Sequence, residues 1–414
     1  MSLSVADLRI RRRAQLARPI DARERRVRRR VSLAWGLLVL NALTFYPRTW
    51  SGLPLAVPIP TTVGKIITQG ALPAALLVAL SVNRRIAIRP NVFLCLVSLL
   101  AIEAVMTGIQ ADHLGTVYRT FRLAGFIATL WLLSPWWGRR DLLLVRSHLI
   151  AASIVLASVL AGLLVAPTDA LGQGRLAGAL WPSPPTQVAE FAAVTAGLVI
   201  VLWLCGLVRG RPAFLAVTVL CVMIIMTHTR TALLGMLAGV AVAGLSLFVA
   251  RARARKMFAV LGMVVSLGAI TVSSVVTTWL ARGENATQLT SLTGRTTAWS
   301  AVVSVPREEF QVIFGFGLSN ESVNGTPIDS SWLAAYYDLG IFAVVVCAAM
   351  LLFLLVTAYF RPSGPQRALG LFLVTYCIVS SFTETGLSGA STFLLEIRLA
   401  ASLLVPSAVE TRPG

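Results

Sequence analysis

Lysine is almost missing from this chain, and histidine is nearly as rare. Lys65 and Lys256 are the two lysines among 36 basic residues, and His113, His148 and His228 are the three histidines. Acid is scarce as well, with 17 Asp and Glu set against those 36 bases. Cys95, Cys205, Cys221, Cys347 and Cys377 all lie inside apolar runs. They form no CxxC and no Cys/His cluster, so neither a disulfide framework nor a zinc site is indicated. There is no Walker loop, no GxSxG and no DxD-type pair of acids, which argues against ATP hydrolysis, serine hydrolysis and metal-dependent transfer from a nucleotide sugar. The first 30 residues are too basic and too weakly apolar for a cleavable signal peptide, so the first hydrophobic run is expected to be retained.

What the chain has in abundance is apolar sequence and arginine. It is 57% hydrophobic, with a mean hydropathy of +0.80, which excludes a soluble globular domain. Its apolar runs are long enough to cross a bilayer as helices. The expected fold is an all-α polytopic membrane protein of about twelve spans, at roughly 31–47, 64–82, 90–109, 116–135, 143–166, 187–207, 212–228, 231–249, 257–280, 332–359, 367–383 and 387–406. The organisation is a basic tail (1–30), one transmembrane domain (31–406) and a short tail (407–414), with a long loop at 281–331 inside the domain.

The arginines orient this set of spans. Of the 36 bases, 26 fall in seven stretches that occupy every second connection: the tail 1–30, then Arg84/Arg85/Arg89, Arg139/Arg140/Arg146, Arg209/Arg211, Arg251/Arg253/Arg255/Lys256, Arg361/Arg367 and Arg412. The positive-inside rule makes that face cytoplasmic, with both termini inside. Basic loops against anionic lipid account for the net charge of +19 better than nucleic acid does. The loop 281–331 then lies outside. It is polar and rich in Gly, Asn, Ser and Thr, and a loop of this length is normally functional or disordered. Trp299, Val302, Val303 and Phe310 predict a short amphipathic helix within 295–312, and Gly315-Phe-Gly317 predicts a turn. No internal repeat stands out, which weakens a secondary-transporter reading.

Ten bases remain after orientation is subtracted, and several have chemical potential. Arg119 and Arg122 sit one turn apart on one helix face. Arg175 precedes Trp181-Pro-Ser-Pro-Pro185, Arg230 marks the boundary of spans seven and eight, Arg295 lies in the long loop, and Arg398 is deep in span twelve. Charge at membrane depth costs about 2.5–3.5 kcal/mol on insertion scales, so such a group usually faces a cavity or a partner. Guanidinium forks converging on the outer face would suit a diphosphate whose lipid tail stays in the bilayer. Alternatively, each snorkels to headgroups or pairs with Glu103, Glu190, Asp338 or Glu384; for Arg398 the structural reading is preferred. Asp329, in Ile328-Asp-Ser-Ser-Trp332, is either a proton acceptor at the mouth of span ten or the N-cap of that helix. His148 is expected to face the cytoplasm. His113, His228, Ser330 and Trp332 are possible substrate or acceptor contacts.

In these residues the chain resembles the bacterial O-antigen ligase and Wzy-type polymerase superfamily. Arg230-Thr-Ala-Leu-Leu234 is similar to the family's R-x3-L motif. Asp329-x10-Gly340 has the register of its H-x10-G motif, with Asp in place of His. Thr293-Gly-Arg295, Trp299 and Gly315-Phe-Gly317 resemble the run that leads up to that motif. The likeness covers about 170–345. It implies a metal-independent, inverting glycosyltransferase that needs no cofactor and works on the outer face of the bacterial plasma membrane. The donor would be a glycan on undecaprenyl diphosphate, and the acceptor a hydroxyl of a glycan or glycolipid. By the resemblance, Arg230, then Arg175 and Arg295, then Arg122 and Arg119, hold the diphosphate. Asp329 acts as base or orients the acceptor. Versions without the His look more like polymerases or exopolysaccharide-type members. Two other classes compete: a lipid-linked oligosaccharide flippase or transporter, and a transglycosylase of the SEDS type.

Overall fold

A computed structural model describes residues 22–45, 59–110, 114–172, 174–260, 295–319, 322–323 and 326–405. Thirteen helices of six or more residues with defined bounds are found among them: α1 (Ala22–Ala42), α2 (Thr61–Val82), α3 (Val92–Gln110), α4 (Leu114–Leu133), α5 (Leu143–Val165), α6 (Pro185–Leu204), α7 (Gly210–Thr227), α8 (Arg230–Leu247), α9 (Arg295–Ser304), α10 (Glu309–Phe314), α11 (Ser331–Phe360), α12 (Pro365–Ser380) and α13 (Thr392–Leu404). A further helical stretch occupies 252–260. A hairpin of two-residue strands, Ser322–Val323 with Thr326–Pro327, is the one sheet described. Seven of the helices, α2, α3, α5, α6, α7, α8 and α11, are long and apolar enough to cross a membrane. This is an all-α membrane protein, as its hydropathy requires. Helices satisfy their own backbone hydrogen bonds and so can sit in lipid. Most of the ninth expected span, 257–280, lies outside the described residues.

The arginine-rich connections gather at one end of the bundle. Arg28 reaches Glu24 and Asp141, both at 2.9 Å, and Arg139 reaches Glu24 and Asp141, both at 3.0 Å. Arg89 bonds the Trp137 carbonyl at 3.3 Å, Arg253 that of Trp203 at 3.0 Å and Arg361 that of Leu404 at 2.7 Å. Gln366 also bonds the Gly138 carbonyl at 3.4 Å and Ser363 that of Ser246 at 3.1 Å, so the tail helix and five basic connections are linked at that end, as the alternation of charge along the sequence requires. The guanidiniums of Arg28 and Arg139 hold Glu24 below the ordinary carboxylate value of 4.5, chiefly through their hydrogen bonds to it. Helix α1 begins nine residues before the expected span, because these contacts keep its arginine-rich first turns helical.

Helix α6 is the axis of the bundle. In its most apolar window 78% is buried, against 28% for α5 and α7, which face outward. Beyond Gln187 and Glu190 near its start, helix α6 is almost wholly apolar, as a surrounded helix should be. It packs on α5, α7, α8 and α12, and α13 is enclosed by α1, α5, α11 and α12. Small residues set the closeness of this packing. A methyl added at Gly197 or Gly239 would collide with Phe372 of α12, and one at Gly235 would press on Tyr376.

Three expectations are corrected inside the bundle. His148 does not face the cytoplasm; it is 1% exposed and lies edge-on to Trp35, with ring centroids 6.5 Å apart. Arg398 does not snorkel, and among the described residues it pairs with no carboxylate. It is fully enclosed, with its guanidinium 4.6 Å from the ring centre of Phe126, an arrangement in which cation–π attraction offsets part of the desolvation cost. The single amphipathic helix expected in 295–312 is two helices, α9 and α10, because Pro306 interrupts the run.

Candidate functional site

The site is built around the turn between α7 and α8, at the end opposite the basic connections. His228 closes α7 in the left-handed conformation, φ 52°, and donates its amide to Ile225 at 3.1 Å. Arg230 opens α8 two residues later. A second segment runs alongside. The Leu176 amide bonds the Met226 carbonyl at 2.9 Å. Arg175 Nε donates to the Thr227 carbonyl at 2.9 Å, and its Nη2 to Thr229 Oγ1 at 3.3 Å. Arg175 and Arg230 are therefore brought to one turn. The N-terminus of α8 adds its own partial positive charge there. Two guanidiniums beside a helix N-terminus form a site for an anion with several oxygens.

A bracket formed by residues 381–384, just after α12, ties this turn to the start of α11. The hydroxyls of Thr231 and Thr383 are 2.7 Å apart. Ser331 donates its amide to the Ser381 carbonyl at 2.9 Å and its hydroxyl to the Glu384 carbonyl at 2.7 Å. Trp332 Nε1 donates to Ser381 Oγ at 2.9 Å. Asp329 stands two residues before Ser331 and is half-buried. The N-cap of α11 is Ser330, without a side-chain cap bond. Ser330 thus holds the N-cap position that the sequence also offered to Asp329. Ser330 is 4% exposed and the Trp332 indole N–H is committed to Ser381, so both shape the wall more than they offer themselves to an acceptor. His228 is half-buried at the turn. His113 lies outside the described residues.

The long loop is stapled to α11 through two glycines. Gly340 interrupts α11 with φ 69° and ψ −168°, a region that only glycine occupies readily. The break turns the carbonyls of Tyr337 and Asp338 away from intrahelical partners. Phe316 and Gly317 donate their amides to them at 3.2 and 2.7 Å. Gly315, φ 75°, lies so close that an added methyl would sit 2.4 Å from the Asp338 carbonyl, and one at Gly340 would sit 2.2 Å from the Ile313 carbonyl oxygen. The predicted turn at Gly315-Phe-Gly317 and the glycine of the x10-G motif are two halves of one joint. Arg307, which the sequence reading did not single out, locks it. Its guanidinium lies 4.1 Å from the Tyr336 ring centre, 5.3 Å from Phe316 and 5.5 Å from Tyr337, and it donates to the Tyr336 and Val302 carbonyls. Val302, Ile328 and Ala334 bury one another beside it. Arg295 begins α9; its side chain lies outside the described residues.

Arg122 is drawn elsewhere. It donates to the Asn41 side chain at 3.2 Å and to the Asn41 carbonyl at 2.7 Å, at the C-terminal end of α1, where a cation offsets the dipole. Gln187, at the start of α6, meets the same helix end at the Ala42 carbonyl. Arg119, one turn before Arg122, is half-buried beside Gly115.

Glu190 and Glu396 place carboxyls inside the bundle; sequence reading offered Glu190 as a possible arginine partner and did not offer Glu396. Glu190 of α6 accepts the Thr392 hydroxyl of α13 at 2.9 Å. Glu396 of α13 is fully enclosed and faces the Cys377 thiol at 3.8 Å. The available signal was a lone carboxylate in an apolar run. Among the described residues no group of three or more His, Cys, Asp or Glu converges as a metal ion would require. No protein-family model matches the chain, and no curated protein matches it significantly.

Proposed function

We propose that this protein is a membrane glycosyltransferase that moves a glycan from an undecaprenyl-diphosphate carrier to an acceptor hydroxyl, on the extracytoplasmic face of a bacterial plasma membrane. The observation that carries the reading is the pairing of Arg175 and Arg230 on one turn, at the end of the bundle away from the orienting arginines. The two guanidiniums bind the diphosphate, and by the resemblance Arg295 is a further ligand. Their fixed positive charge stabilises the oxygens on which negative charge builds as the sugar–phosphate bond breaks. The acceptor oxygen attacks the anomeric carbon from the opposite side, inverting it, and its proton passes to Asp329 or to solvent oriented by Asp329. The diphosphate linkage is already activated, so the reaction needs neither metal nor nucleotide. Both termini lie in the cytoplasm in this reading, and the bundle has about twelve spans. Having Asp329 rather than His fits a polymerase better than a ligase acting on a lipid A-type acceptor.

Purified protein given lipid-linked glycan tests the reading. Turnover should proceed in EDTA, and Arg230→Ala should lower it at least hundredfold, the scale on which a transition-state donor acts, while the variant still inserts. Normal glycan transfer by Arg230→Ala would sink the proposal. Movement of intact donor across a vesicle membrane without transfer would favour a transporter.

A further inference from the structure

At the basic end of the bundle, the ion pairs that join α1 to the start of α5 leave two arginines over. Arg28 and Arg139 share Glu24 and Asp141 between them. Arg29 of α1 and Arg146 of α5 are exposed, and neither pairs with a carboxylate among the described residues. Both helices start at the basic end, so they run in the same direction. They touch where Ser32 Oγ and Ser147 Oγ lie 2.8 Å apart. Arg29 is about one turn before Ser32, and Arg146 is next to Ser147.

The two sides of this contact differ. On the inner side Trp35 and His148 meet edge to face, both buried. A helix turns by about 100° per residue. Arg29, Leu33 and Gly36 therefore fall on the side of Ser32 away from Trp35, and Arg146 and Ile150 on the side of Ser147 away from His148. In helices of the same direction these two sides face the same way, outward. Leu33 is 54% exposed, Ile150 60% and Ile154 67%. A side chain at Gly36 would meet nothing within 4 Å. The seam is thus a shallow trough, with two guanidiniums at its basic end, apolar walls beyond them and a notch at Gly36.

We propose that this trough binds one anionic phospholipid from the leaflet at the basic end. Arg29 and Arg146 bind its phosphate oxygens, and an acyl chain runs along Leu33, Gly36 and Ile150. Charge complementarity selects the occupant. A zwitterionic lipid brings an ammonium of its own, and a free phosphate has no use for the apolar walls. Orientation of the spans needs only net charge in each connection; it does not need arginines from two different segments on one seam.

Full-length protein in neutral detergent is titrated with phosphatidylglycerol and with phosphatidylcholine of the same chains, and bound lipid is counted by native mass spectrometry. Wild type should retain phosphatidylglycerol in preference. Arg29→Gln with Arg146→Gln should lose about thirtyfold in affinity for it, the worth of two surface cations, with phosphatidylcholine unchanged. Arg84→Gln with Arg85→Gln removes the same charge from the exposed connection between α2 and α3, which is bonded to the end of α4. Salt screens charges that are not in contact, so this pair should change affinity by less than about threefold. Gly36→Trp fills the notch with no change of charge and should weaken phosphatidylglycerol about tenfold by displacing the chain. No preference in wild type, equal losses in the two double variants, or wild-type affinity in Gly36→Trp would each overturn the site. Glycan transfer enters none of these readouts, so they stand apart from the proposed function.

Discussion

Replacing Gly340 by alanine should release the long loop from the bundle. Gly340 sits at φ 69° and ψ −168°, where a side chain costs about 1–3 kcal/mol. The new methyl would lie 2.2 Å from the Ile313 carbonyl oxygen, so α10 has to move. Moving it breaks the bonds from Phe316 and Gly317 to the Tyr337 and Asp338 carbonyls, at about 1 kcal/mol each. Alanine also favours an uninterrupted helix over glycine by about 1 kcal/mol. Relative to wild type, these terms shift the balance toward a straightened α11 with an undocked loop by about 4–6 kcal/mol. Hydrogen exchange reads the outcome directly. The amides of Phe316 and Gly317 should lose at least hundredfold in protection while those of α6 are unchanged, and glycan transfer should fall with them. Gly70→Ala is the control, since a methyl there meets nothing within 4 Å, and it should be neutral or slightly stabilising. A Gly340→Ala protein whose Gly317 amide stays within threefold of wild-type protection would refute the reasoning.

Other tests follow from neighbouring contacts. Arg307→Ala removes the stacking on Tyr336 and two carbonyl bonds; it should loosen the same joint by about 2–4 kcal/mol, seen as faster proteolysis within 305–317. Arg122→Ala should lower the thermal midpoint, because it uncaps α1, but leave binding of bare undecaprenyl diphosphate within twofold; a tenfold loss of that binding would return Arg122 to the diphosphate site. Glu24 titrates below its ordinary 4.5 because Arg28 and Arg139 bind its charged form. Its contribution to the contact is therefore complete above that pH and is lost as pH falls through the depressed value. Spin labels at Ala22 and Arg140 should hold their separation from pH 7 down to about 4.5 and move apart only below it. Glu24→Gln should show the acid behaviour at pH 7, and separation already at pH 6 in the unmodified protein would contradict this account.

The arrangement of helices was legible because membrane insertion writes it in charge and length. Arginines in every second connection require those connections to share one end, and the contacts of Arg28, Arg89, Arg139, Arg253 and Arg361 do so. The site was legible only in part. Arg230 advertises itself as a charge at a span boundary. That Arg175 shares its turn depends on a hydrogen bond to Thr227 across 52 residues, which no local pattern encodes. Arg122 looked like Arg230 in sequence because both are arginines near the same membrane face. What separates them is the end of α1, a distant helix whose carbonyls claim Arg122. Asp329 was ambiguous because Asp-Ser-Ser offers three candidate caps in a row; the second holds the N-cap position, without a side-chain cap bond. His148 lies close to the basic loop in sequence, yet helix rotation turns it inward toward Trp35.

Two helices packed inside the bundle are shorter than a bilayer is thick. Helix α12 has 16 residues and α13 has 13, about 24 and 20 Å at 1.5 Å per residue, against a hydrocarbon core of about 30 Å. Both are anchored at the basic end, through Gln366 to the Gly138 carbonyl and through the Leu404 carbonyl to Arg361. The missing turns therefore fall at the other end, where 381–391 replaces helix with irregular backbone. On the proposed function, that shortening would let a carrier lipid bring its diphosphate toward the Arg230 turn without lifting it far into water. Bilayer thickness would then become a control on turnover.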